Sequence, residues 1–172
     1  MNEYAVTVIG HDRPGIIADA TEILARLGLN LTDSTMTRLR GHFAMTLICA
    51  GEPAPTEVEA ALEPLTGSGS LVVTVRRVAP ETAAPHGGTH HVLTVHGADR
   101  LGIVAALART VADAGGNVTD LTTRLAGEFY LVVADIDLPS TVDVDRLADR
   151  LRQAADRLGV EATLRPAEAD VL

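Results

Sequence analysis

The sequence holds a single cysteine, Cys49, so no disulfide can form within the chain and no thiolate cluster can hold a metal. It has no lysine: all 14 basic residues are arginine, against 23 acids, and the net charge is −9. Residues 1–80 and 81–172 each carry more acids than arginines. Neither half supplies the basic stripe that binding a phosphate backbone needs, so direct nucleic-acid binding is not expected. No apolar run approaches the eighteen or so residues of a membrane span, and residues 1–10 lack the basic start and long apolar stretch of a signal peptide. A cytoplasmic protein that stays off membranes is the expectation. G-x-S-x-G, HExxH, P-loop and dinucleotide fingerprints are all missing, which leaves little case for an enzyme and none for a cofactor.

What the chain does have is a duplication. Slid by 87 positions, Thr7-Val8 falls on Thr94-Val95, Asp12-Arg13 on Asp99-Arg100, Gly15-Ile16 on Gly102-Ile103, and Asn30 on Asn117. Thirteen of the thirty positions in 4–33 are identical. Beyond Asp33 the best match moves to an offset of 86, which sets TRLRGHF (37–43) over TRLAGEF (123–129). One extra residue in a strand reverses the facing of everything after it unless a bulge absorbs it, so a bulge or altered pairing is expected between Asp33 and Thr37.

Each copy reads as strand, helix, two strands, helix, strand. Tyr4–Gly10 and Val92–Gly97 are β-branched strands, and Ile16, Ala20, Ile23, Leu24 and Leu27 recur at helical spacing, as do Ile103, Leu107, Val111 and Ala114. Gly28 and Gly115 end those helices. Strands at 30–39 and 42–50 join through Arg40-Gly41, and those at 117–125 and 128–136 through Ala126-Gly127. A second helix follows in each copy; Pro64 should end or distort the first of these. Strands 71–78 and 160–165 close the units. The fold class is α+β: two ferredoxin-like βαββαβ domains in tandem, with antiparallel sheets and helices on one face. The boundaries are 1–79 for the first domain, 80–90 for a linker, 91–166 for the second domain and 167–172 for a tail. In the first copy both faces of the first and third strands lack charge, so the second sheet face is expected to be covered by the sister unit or another subunit.

The turns HDRPG and ADRLG precede the first helix of each copy. The first N–H groups of a helix have no internal partners and bind anions, carboxylates included. Gly15 and Gly102 let a ligand approach the backbone, and Pro14 fits the first helical turn. Asp12 and Asp99 offer a carboxylate to an ammonium group, and Asn30 and Asn117 supply a donor and an acceptor. Together these groups suit a free amino acid. The same residues also suit a purely structural turn, because Asp caps helices, Gly fills loops and Asn follows helix ends.

His86, His90, His91, His96 and His11 lie mostly in the linker, and no metal site is expected. Asp135 and Asp137 read as part of a solvated turn before Pro139.

DRPGI, a helix and then GLNLTDS, present twice, resemble the ACT domain, a small regulatory module of amino-acid metabolism. DRPGI…NLTDSTMTRLRGHFAMTLICAGE followed by a second such unit is similar to the glycine cleavage system transcriptional repressor family. The resemblance implies an amino-acid ligand such as glycine or serine, bound at an interface between two units. Its contacts would be Asp12, Arg13, Pro14, Gly15 and Asn30, with Asp99, Arg100, Leu101, Gly102 and Asn117 in the second copy. It also implies a homodimer and a protein partner, a DNA-binding regulator. Leu101 departs from the proline of the pattern, and copy two either binds differently or has lost binding. A tandem scaffold without a ligand, mediating oligomerisation or enzyme regulation, is the alternative.

Overall fold

The computed structural model describes residues 2–67, 69–79 and 88–167. Most of the expected linker, and residues 168–172 of the tail, lie outside the described residues. The chain divides into two units, Met1–Thr82 and Ala83–Leu172. The first contains β1 (Asn2–His11), α1 (Ile16–Arg26), β2 (Asn30–Leu39), β3 (His42–Gly51), α2 (Pro55–Thr66) and β4 (Leu71–Val78). The second contains β5 (Gly88–Ala98), α3 (Ile103–Ala112), β6 (Asn117–Ala126), β7 (Phe129–Pro139), α4 (Val144–Asp156) and β8 (Val160–Pro166). β5 begins inside the segment expected to be linker, because Gly88, Thr89 and His90 pair with Pro139, Leu138 and Asp137.

The sheets run β2-β3-β1-β4 and β6-β7-β5-β8, antiparallel throughout. Alternation decides which side chains meet the helices. In the first unit Val6 and Val8 of β1 and Met45, Leu47 and Cys49 of β3 bury against Ile16, Ala20 and Leu24 of α1 and Val58 and Leu62 of α2. In the second, Val95, Val132 and Ile136 bury against Ile103, Leu107, Leu147 and Leu151. Ala5, Thr7, Ala44, Thr46 and Ile48 point away from the helices and are half-buried. Pro64 sits within α2, which stops at Thr66 just beyond it.

The bulge is where neither sequence offset puts it. β2 shifts register between Leu31 and Asp33, and β6 between Val118 and Asp120, so both units carry a bulge, at Thr32 and Thr119. Each bulged threonine donates its hydroxyl to a carbonyl of the neighbouring strand, Ile48 at 3.2 Å and Asp135 at 3.4 Å. From Asp33 to Leu39 the pairing is unbroken.

No residue is gained. The register Val8 with Met45 is repeated by Val95 with Val132, which keeps the offset at 87 through β3 and β7. What moves is the hairpin glycine. In β2–β3 the two-residue loop is Arg40-Gly41, with φ of 50° and 81°, the double positive pattern of a type I′ turn. In β6–β7 the loop is Gly127-Glu128, not Ala126-Gly127, and only the glycine has positive φ, 64°, as a type II′ turn requires. The sequence match follows the glycine and slips by one residue; the strands do not.

Candidate ligand site at the turns before the first helices

The turn of the first unit is held by the hairpin beside it. The Asp12 N–H donates to the Gly41 carbonyl at 3.0 Å, and the His11 and His42 rings stack with centroids 5.1 Å apart. Gly15 is the N-cap of α1, with φ of 89°, which favours glycine because a Cβ would strain the left-handed conformation. No side chain caps the helix. Its first turn is nevertheless not free of negative charge. Asp19 lies in that turn and pairs with Arg13 at 2.9 Å, where it meets the positive end of the helix dipole itself. Asp12 pairs with Arg38 of β2 at 3.3 Å. Both charged side chains proposed for the ligand therefore already hold internal partners.

The second unit repeats the backbone without those pairs. The Asp99 N–H donates to the backbone carbonyl of Glu128, the structural counterpart of Gly41, at 3.3 Å. Gly102 caps α3 with φ of 91°, again with no side-chain cap, and α3 has no acid in its first turn because Ala106 stands where Asp19 does. Arg38 pairs across the ladder with Phe43, and the matching pair is Leu125 with Tyr130. Leucine thus occupies the arginine's place. Arg124 stands one position earlier, faces the other side of the sheet and donates to the Thr123 carbonyl at 2.9 Å. Among the described residues neither Asp99 nor Arg100 has a side-chain partner.

A hollow of about 510 Å³ opens here, lined by residues 99–105 and Tyr130. A Cβ built on Gly102 would meet nothing within 4 Å, and Leu101 is fully exposed, so the helix amides are open to a ligand.

Asn30 and Asn117 do not join their own turns. Each opens the strand that follows the helix, and the helix runs back along the sheet. Asn30 pairs with Ala50, near Glu3, whereas the turn follows His11 at the other end. At about 3.3 Å per residue the length of β2 separates them by roughly 25–30 Å. Asn117 stands opposite Asp137, as far from Asp99. Both side chains are exposed and unpartnered among the described residues. The turn and the asparagine of one unit therefore cannot hold the same amino acid.

Residues that sequence reasoning missed are Arg38, Asp19 and Tyr130. Asp19 was within reach, one helical turn after Gly15; Arg38 and Tyr130 depend on strand register.

The other candidates fall elsewhere. Among the described residues no three His, Cys, Asp or Glu side chains gather as a metal site. His90 pairs with Asp137 at 2.5 Å and His96 lies 3.6 Å from Glu161, each on strands rather than in a linker. Asp135 and Asp137 lie within β7 and not in a turn, because the strand pairs as far as Pro139. Cys49 is fully buried on β3, and burial pushes its thiol pKa up. Among the described residues no helix is long and apolar enough to cross a membrane.

The family model described as the ACT domain matches residues 4–75 and again 89–165. The chain belongs to the ACT domain family. It is a tandem of two such regulatory modules in one chain. The first ACT unit and its sister account for nearly all of the sequence. A UPF0237 protein of Methanopyrus kandleri is 35% identical over 74 residues, covering 42% of this chain and 82% of that protein. A protein of Galdieria sulphuraria described only as unknown superposes with a TM-score of 0.81 at 25% identity, over 97% of this chain and 99% of the other. A "putative glycine cleavage system transcriptional repressor" superposes with a TM-score of 0.73 at 19% identity, over 97% and 98%, and shares the tandem fold.

Proposed function

We propose that this tandem ACT protein is an amino-acid sensor whose second unit takes the ligand. The observation that carries this reading is the difference between the turns: Asp12 and Arg13 are paired within their unit, while among the described residues Asp99 and Arg100 have no side-chain partner beside the N-terminus of α3. In this reading Arg100 and the first amides of α3 take the carboxylate, and Asp99 takes the ammonium. An asparagine from another unit, Asn30 or Asn117, completes the site across an interface. The first unit then supports the assembly, as a homodimer, and need not bind. A ligand held between units shifts the population of assemblies, which a protein partner reads. The acidic charge and the structural neighbour's name support a DNA-binding regulator of glycine or one-carbon metabolism as that partner, with this cytoplasmic chain as its non-catalytic co-regulator.

A thermal-shift screen against the common amino acids tests the sensor. At a hundredfold excess over Kd, a ligand adds about 2.7 kcal/mol to stability. Glycine or serine is expected to raise the transition. If no amino acid at millimolar concentration moves it, the tandem is a scaffold and not a sensor.

A further inference from the structure

The second unit contains a cavity of about 150 Å³ between α3, β6 and the sheet, and its nine lining side chains are all leucine, valine or alanine. Leu93, Leu107, Val111, Val132 and Ala134 form its buried walls, and exposed Ala108 and Leu121 stand at its mouth. The sister unit carries larger side chains at several of the positions that line it. The register sets Val8 against Met45 and Val6 against Leu47, and in the second unit Val95 against Val132 and Leu93 against Ala134. Met45 and Leu47, almost fully buried, therefore stand where Val132 and Ala134 leave room. Leu24 is likewise replaced by the shorter Val111. Leu107 in place of Ala20 and Leu93 in place of Val6 return most of that volume, but from other walls of the cavity.

Such a space is poor for water, which needs two to four polar partners, and no side chain here offers one. Apolar cavities of this size accept benzene or xenon. A charged or zwitterionic molecule would lose its hydration without compensation. We propose that the second ACT unit has a separate binding site for a small uncharged hydrocarbon group, a single aromatic ring or a branched aliphatic of similar size, entering between Ala108 and Leu121. This site differs from the turn in chemistry and does not depend on the amino-acid reading.

Methyl NMR of the full chain, with labelled leucine, valine and alanine, tests it with benzene as the probe. Saturable shifts are expected at Leu107, Val111 and Val132, while Leu24 and Leu47 serve as an internal control and stay still. Val132→Met and Ala134→Leu restore the side chains of the sister unit and should weaken benzene binding at least tenfold while raising Tm. Should Ala134→Leu fail to fold, Ala134→Val keeps the comparison. Absence of saturable shifts up to the solubility of benzene, equal shifts in both units, or unchanged binding in the filled variants would each overturn the proposal.

Discussion

Gly10→Ala is expected to cost about 3 kcal/mol or more, enough to lower Tm by roughly 10 °C or to prevent the first unit from folding. A Cβ on Gly10 would lie 1.9 Å from the Ser70 carbonyl oxygen and 2.9 Å from the Leu71 Cα. Both are backbone atoms of the neighbouring chain segment, so no rotamer change makes room. Nor can the segment withdraw cheaply: Gly10 pairs with Leu71, and the His11 N–H donates to that same Ser70 oxygen at 3.0 Å. Gly97, the counterpart, is less tight, since its Cβ would lie 2.9 Å from Val160 Cγ1 and 3.0 Å from Val160 Cα. At Gly102 the space is open and only the positive φ of 91° opposes a side chain, at about 1–2 kcal/mol. Denaturant unfolding of the three alanine variants should therefore rank the losses Gly10, Gly97, Gly102. A Gly10→Ala protein as stable as the parent would contradict the close approach of β4 to β1.

Why the two turns, so alike in sequence, differ in chemistry follows from the hairpin. The duplication was legible because identical residues do identical backbone work: Gly15 and Gly102 cap helices in the left-handed conformation, and Gly28 and Gly115 leave them with φ of 73° and 81°. Element order and topology were legible for the same reason. The slip after Asp33 was not. A two-residue hairpin accepts glycine at its second position in a type I′ turn or at its first in a type II′ turn. A sequence match that follows the glycine cannot tell a moved glycine from an inserted residue. Only the ladder shows that Arg38 corresponds to Leu125 and not to Arg124. The separation of Asn30 from Asp12 lay closer to hand, because a helix of eleven residues returning along the sheet must deliver the next strand to its opposite end. The turn residues of the candidate site were thus readable, but their partners, which decide whether a charge is free, depend on register.

That dependence gives the binding prediction its sharpest form. For an amino acid that stabilises the chain, Arg100→Ala should weaken binding about tenfold to a hundredfold, the range of one charge-assisted hydrogen bond, and Asp99→Asn should do the same through the ammonium. Arg13→Ala and Asp12→Asn should leave affinity nearly unchanged, because those side chains already pair with Asp19 and Arg38. Leu125→Arg separates this account from a general loss of fold. It places a guanidinium where Arg38 stands in the first unit, within reach of Asp99, on a residue whose side chain is already exposed. Stability should change by less than about 0.5 kcal/mol, as for most exposed substitutions. Affinity should fall nonetheless, because the carboxylate that would meet the ammonium is then engaged. Titration calorimetry on the five variants reads both outcomes. Equal losses from Asp12→Asn and Asp99→Asn would place the ligand in both turns, and a Leu125→Arg protein that binds as the parent does would remove Asp99 from the site.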